Sequence, residues 1–170
     1  LLWKEAKLCL AHGAGSKTLS YGGTLQGDVS DAGKQLFGCA LSAGFGKGSR
    51  VHAPGDGADW IALQVDERFG SQGSYLVDFY PVCDYLSAAA AAIHPGSEMA
   101  KAWFNQQKER LKSGNCDKVI ESLRAHIEAD EAADSEAAVR PCHRYLSRRR
   151  DQLDYPGALA NNLPIGSGEI

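Results

Sequence analysis

Val51-His52-Ala53-Pro54-Gly55-Asp56-Gly57-Ala58-Asp59-Trp60-Ile61 is the stretch on which the fold turns. Its first part, Arg50–Pro54, reads as a short buried strand that runs into a Gly-Asp-Gly turn at Asp56. Trp60–Arg68, beyond the turn, reads as a short helix. A strand, a glycine-flanked carboxylate and a helix in succession suit an α/β protein, in which ligands gather at strand ends. Glycines on both sides let the backbone turn sharply and let a metal or phosphate approach Asp56 closely. On its own, an Asp-Gly pair is more often just a turn.

Upstream, Trp3–Ala11 alternates partly and predicts a strand. His12–Lys17 is a Gly/Ser-rich turn, and Thr18–Gln26 predicts a returning hairpin strand with Gly22-Gly23 as the place for a bulge. Asp28 or Ser30 can cap the next helix, which carries Ala32, Leu36, Phe37, Ala40 and Leu41 at helical spacing and can end at Gly44. Downstream, Ser74–Tyr80 is a strand rich in aromatic and β-branched residues. From Val82 the pattern is helical. Helices are expected over Val82–Ile93, from Ser97 to near Gly114, over Cys116–Asp130 and over Ser135–Leu153. Pro141 should either kink the last of these or mark its true first turn. Pro164–Glu169 reads as a Gly-rich turn entering a further helix. No internal repeat or low-complexity linker interrupts the chain. One domain is therefore expected over 1–170, α/β in class, with its helices concentrated late, over 82–160.

Composition narrows the function classes. The 170 residues suffice for one domain with a proper core. With 44% apolar and 23% charged residues, disordered and collagen-like readings drop out. No apolar run reaches the ~18 residues of a membrane span. Leu1–Glu5 lacks the charged and apolar regions of a signal peptide, and with Met99 as the sole methionine the chain is expected to begin mid-protein. The net charge of −3 weighs against a self-sufficient module that grips DNA through its phosphates. Five cysteines without a Cys-x-x-Cys pair predict free thiols in a reducing cytoplasm rather than a paired-cysteine zinc site.

Chemistry therefore has few places to sit. Glu169, in Gly166-Ser167-Gly168-Glu169, falls at a helix start, where a carboxylate is favoured by the helix dipole. Asp78 and Asp84 read as capping or solvent-facing carboxylates. The histidines form no metal-binding pair, and Cys142-His143 reads as helix packing. Arg144, Arg148, Arg149 and Arg150 are candidate phosphate contacts, with a solvated helix face as the equal alternative.

Four segments in order make a more specific pattern than any of these alone. They are Trp3–Ala11, Val51–Ile61, Asp78-Phe79-Tyr80-Pro81-Val82-Cys83-Asp84-Tyr85-Leu86, and Leu163-Pro164-Ile165-Gly166-Ser167-Gly168-Glu169-Ile170. Together, over nearly the whole chain, they resemble the catalytic core of bacterial insertion-sequence DDE transposases of the Kra type. Trp3–Ala11 is similar to the strand after the first catalytic Asp, and Val51–Ile61 to the motif of the second. Asp78–Leu86 is similar to the segment that follows, and Leu163–Ile170 to the motif of the final Glu. Two departures stand out. Pro81 replaces the family's usual His, and the first catalytic Asp is expected on a strand just before Leu1.

The resemblance implies an RNase H-like core, a mixed sheet with flanking helices and a helical insertion, here without its first core strand. It implies Asp56 and Glu169 as catalytic and metal-binding carboxylates for Mg²⁺, with Mn²⁺ as a substitute. Two such ions, roughly 3.5–4 Å apart, would serve cleavage and transfer of DNA strands. The implied partners are transposon-end and target DNA and further copies of the full-length chain, in the bacterial cytoplasm at the nucleoid, with no membrane. With two of the three carboxylates the chain is expected to be inactive alone. The main alternative is a degenerate, non-catalytic transposase remnant acting as an interaction domain. A resolvase-like nuclease would share the metal chemistry without the late helices, and an unrelated α/β hydrolase would not need Asp56.

Overall fold

The computed structural model describes residues 6–133 and 135–167. The fold is mixed α/β, with four strands and seven α-helices among the described residues. Among these residues the strands pair as two separate two-stranded ladders instead of one continuous sheet. The chain divides into two compact units. The first draws on the residues up to Ala53 and on Ala58–Tyr75, and the second on Pro54–Gly57 and Leu76–Ser167.

In the first unit, β1 (Lys7–Ala11) pairs antiparallel with β2 (Ser20–Thr24). The register runs without interruption from Lys7↔Thr24 to Ala11↔Ser20, so the bulge expected at Gly22-Gly23 is absent. The glycines serve close approach instead. A Cβ on Gly22 would come within 2.8 Å of the Cys39 sulfur, and one on Gly23 within 2.8 Å of the Leu8 side chain. α1 (Val29–Ser42) packs across this hairpin. Of its two candidate caps, Asp28 is the one used. Its carboxylate accepts from the Asp31 amide while Asp31 reaches back to the Asp28 amide, a reciprocal capping box. Gly44, at φ 96°, lies just past the helix end.

α2 (Asp59–Phe69) packs on α1, and the two helices enclose the core of this unit. Ala40, Val65 and Phe69 are buried there, with Leu36, Phe37, Phe45 and Ile61 packed against them. The Phe37, Phe45 and Phe69 rings meet with centroids 5.2–5.8 Å apart. Each such buried ring or aliphatic side chain contributes about 1.5–3 kcal/mol by leaving water.

β3 (Val51–Gly55) pairs with β4 (Gly73–Val77). The expected strand through Tyr80 stops at Val77 because Asp78 caps α3 (Phe79–Ile93). Pro81 does not delay this helix. It is the third helical residue, where a missing N–H costs no intrahelical bond. Val82, Leu86, Ala89 and Ala90 recur at helical spacing on the buried face of α3.

The remaining helices of the second unit are α4 (Ser97–Lys112), α5 (Cys116–Arg124), α6 (Val139–Arg148) and α7 (Tyr155–Ala160). α3 packs on α4 and α6, and α5 packs on both α4 and α6. Three expectations are corrected here. α5 ends at Arg124 rather than near Asp130, and α6 starts at Val139 rather than Ser135. The sequence reading also lacked α7, which Asp154 caps by accepting from the Gly157 amide at 3.0 Å. Pro141 is the third residue of α6, so it marks the first turn instead of a kink.

The shortened α5 and α6 share a physical cause. The chain beyond α5 folds back so that the Glu128 carboxylate accepts from the amides of Ala138, Val139 and Arg140 at 2.7–2.8 Å. Those are among the amides that a helix start leaves without partners. Burial by itself would raise the Glu128 carboxyl. The backbone N–H groups around it outweigh that and hold it at about 2, well below the usual glutamate range.

Because this folded-state value is depressed, the stabilisation is fully present above the ordinary glutamate range. It is lost as pH falls through about 2. Glu128→Gln should therefore flatten the acid limb of a stability–pH curve between about pH 4.5 and 2. Its cost at neutral pH should be ~1 kcal/mol, since the group is only half-buried and solvent screens it. Urea melts at a series of pH values check this, and an acid limb identical to the wild type's would refute it.

Among the described residues no helix is long and apolar enough to cross a membrane.

Candidate functional site

Asp56 stands immediately after β3, exposed to solvent. On its N-terminal side, the Gly55 carbonyl accepts from the Asp78 amide at 2.6 Å. On its C-terminal side, two side chains of α6 hold successive carbonyls. Tyr145 Oη donates to the Asp56 carbonyl at 3.1 Å, and Arg149 Nε donates to the Gly57 carbonyl at 2.7 Å. Gly57 has φ 91°, and a Cβ there would run into the Tyr145 hydroxyl. Glycine is thus required at this position both for backbone conformation and for space.

Tyr145 is built into the second unit. Its ring stacks on Tyr85 with centroids 4.3 Å apart, and the Arg149 guanidinium lies over the ring, 4.3 Å from the centroid. Burial pushes the Tyr145 phenol up while Arg149 pulls it down, so at neutral pH it is a hydrogen-bond donor.

Asp78, read from the sequence as a capping or solvent-facing carboxylate, is a cap and is buried, at 4% exposure. One oxygen accepts from the Tyr80 amide at 2.8 Å. The other accepts from the Ser167 amide at 2.8 Å and from the Ser167 hydroxyl in a short contact. Next to it, the Phe79 amide donates to the Ile165 carbonyl at 2.9 Å. Gly166 passes so close to the Tyr80 ring that a Cβ would lie 2.9 Å from it. Three segments far apart in sequence, Gly55-Asp56-Gly57, Asp78-Phe79-Tyr80 and Ile165-Gly166-Ser167, are thereby joined through Asp78. Glu169, two positions beyond Ser167, lies outside the described residues, as do Trp3, Lys4 and Glu5.

The arginines of this region make different contacts. Arg149 anchors the Gly57 carbonyl, and Arg150 pairs with Asp117 at 2.5 Å. Arg140 donates to the Ala129 and Ala132 carbonyls, both at 2.6 Å. Arg144 and Arg148 are exposed, one helical turn apart on α6.

Among the described residues no group of three or more His, Cys, Asp or Glu side chains gathers to hold a metal. Asp56 offers a hard, exposed oxygen of the kind Mg²⁺ takes. The Asp78 carboxylate is turned onto Tyr80 and Ser167. The cysteines are free thiols, Cys39 and Cys142 buried and Cys9, Cys83 and Cys116 half-buried. Burial pushes the Cys142 thiol up to about 12, far from the thiolate character a nucleophile needs.

The sequence reading missed Asp78 as a junction and Tyr145 and Arg149 as anchors. An Asp just before a run of helical spacing is a helix-start signal, and it was legible. The grip of α6 on Asp56 and Gly57 had no sequence signal beyond the four-residue spacing of Tyr145 and Arg149. No protein-family model, curated protein or solved structure matches this chain.

Proposed function

We propose that this chain is part of the catalytic core of a DDE-type transposase, with an RNase H-like arrangement, that cleaves and transfers DNA strands. The observation that carries the reading is the junction at Asp78. Three of the four segments that resemble the transposase motifs are widely separated in sequence, yet direct hydrogen bonds join them at the end of β3.

In this reading Asp56 and Glu169 are the second and third carboxylates, and Mg²⁺ is the metal they would hold. When bound, the metal supplies activation of an attacking hydroxyl and neutralises charge on the leaving oxygen. The chain's own part is to present Asp56 from a backbone fixed on both sides and to keep the segment before Glu169 tied to Asp78. The first carboxylate belongs to the segment that the resemblance places before Leu1. The 170 residues by themselves are expected to be inactive, and a chain that also supplies that carboxylate is expected to be active. Strand-transfer assays with transposon-end DNA and Mg²⁺ or Mn²⁺ test this pair of expectations. Metal-dependent joining by the 170-residue chain alone would refute it.

Phosphate contact falls to Arg144 and Arg148, exposed one turn apart on α6. Replacing both by alanine should lower the slope of log K against log salt by about 2, each phosphate contact contributing about 0.9. A filter-binding series from low to moderate salt measures it. An unchanged slope would assign the pair to a solvated helix face.

A further inference from the structure

We infer that Cys9 and Cys39 form a redox clamp, a reversible disulfide that a low-molecular-weight disulfide closes and that ties β1 to α1 within the first unit. The inference is independent of the transposase reading. Its basis is where the two sulfurs stand. Cys9 is the middle residue of β1, and Cys39 lies in α1, the helix packed across the hairpin. Their Sγ atoms are 3.9 Å apart, thiol against thiol. A disulfide needs about 2.05 Å, so the sulfurs must close by roughly 2 Å, which small rotations of two short side chains supply.

The strand makes the room for them. Cys9 faces Gly22 across the ladder. A Cβ on Gly22 would come 2.8 Å from Cys39 Sγ and 3.1 Å from Cys9 Sγ. Glycine leaves both sulfurs the same small space, and a larger residue would push them apart. The other cysteines, Cys83, Cys116 and Cys142, belong to the second unit.

Access sets the order of the chemistry. Cys9 is half-buried, whereas Cys39 is 5% exposed. Cys9, as the thiolate, attacks one sulfur of the small disulfide. A mixed disulfide forms on Cys9, the reagent's own S–S bond breaks, and the first small thiolate leaves and takes up the proton that Cys9 gave up. Cys39 then attacks the Cys9 sulfur, its proton passing to the second departing thiolate. Two protein thiols are oxidised and one small disulfide is reduced to two thiols. Burial and then the neighbouring Cys39 thiol push the Cys9 thiol up to about 12. Little thiolate is present at neutral pH, so closure takes hours rather than seconds, and the clamp answers sustained oxidation.

The test incubates the folded 170-residue chain with oxidised glutathione, quenches with acid and digests with trypsin without reduction. Tryptic peptides 8–17 and 35–47 each carry one cysteine, Cys9 and Cys39. They should appear joined, and dithiothreitol should separate them. In the bridged chain the amides of β1 and β2 should exchange with solvent at least about tenfold more slowly, because a cross-link between residues 30 apart opposes local opening. Cys39→Ser should stop at the glutathione adduct on Cys9, and Cys9→Ser should leave Cys39 unmodified. The wild-type result stands without either variant, should one fold poorly.

A glutathione adduct that accumulates on wild-type Cys9 while Cys39 stays reduced would overturn the clamp. So would both thiols remaining free after prolonged incubation. Joined peptides with amide exchange as fast as in the reduced chain would also overturn it, since the bridge would then restrain nothing.

Discussion

Replacing Asp78 with alanine is expected to destabilise the chain by ~3 kcal/mol, a larger loss than for any other single polar substitution considered. The carboxylate is buried and accepts from the Tyr80 amide, the Ser167 amide and the Ser167 hydroxyl. Truncation would leave these donors without acceptors, and each unsatisfied buried group costs about 1–3 kcal/mol. Part of that cost is recovered where water reaches the half-buried Ser167. Ser167→Ala removes one donor and leaves the carboxylate its two amides, so its cost should be only ~1 kcal/mol. Urea denaturation of the two variants gives the comparison. A cost below about 1 kcal/mol for Asp78→Ala would mean that the junction does not hold the Ile165–Ser167 segment.

Asp56→Ala is the contrasting case, with a larger effect expected on chemistry than on stability. The side chain is exposed, and the backbone carbonyl accepts from Tyr145. Removing an exposed carboxylate leaves that bond in place, so stability should fall far less than for Asp78→Ala. In a chain extended at both ends, metal-dependent cleavage of transposon-end DNA should fall by on the order of 10³-fold or more. In the proposed reading, the charge developing on the transferred phosphate would lose the ion that Asp56 would help to hold. Parallel thermal melts and cleavage time courses separate the two quantities. Destabilisation matching the lost activity would make Asp56 a structural residue.

The sequence made some elements legible and concealed others, for reasons visible in particular residues. α1 was readable because its signals are local: an Asp28–Asp31 capping box, apolar residues at helical spacing and Gly44 past the end. Gly22-Gly23 misled because glycine in a strand marks either a bulge or a close approach, and only the packing of Cys39 and Leu8 decides between them. The ends of α5 and α6 were hidden because they depend on Glu128 reaching across the intervening turn to cap α6.

At the candidate site, the strand end at Asp56 was legible from its flanking glycines. What fixes Asp56 was not, because Tyr145 and Arg149 lie roughly 90 residues further along the chain and act on carbonyls that every residue possesses. Asp78 falls between these cases. Its capping role was readable, but its burial depends on the arrival of Ser167. The resemblance to transposase motifs placed these segments in order along the sequence, and Asp78 is the residue through which three of them meet.

The most direct test of the transposase reading is a joining assay. A chain extended at both ends is incubated with a labelled transposon-end duplex, supercoiled target DNA and Mg²⁺, alongside its Asp56→Ala variant. The account predicts covalent joining of the labelled end to the target by the parent chain, none without divalent metal, and none by Asp56→Ala. Joining that persists in Asp56→Ala, or the absence of any cleavage or joining by an extended chain that carries the upstream Asp, would contradict it.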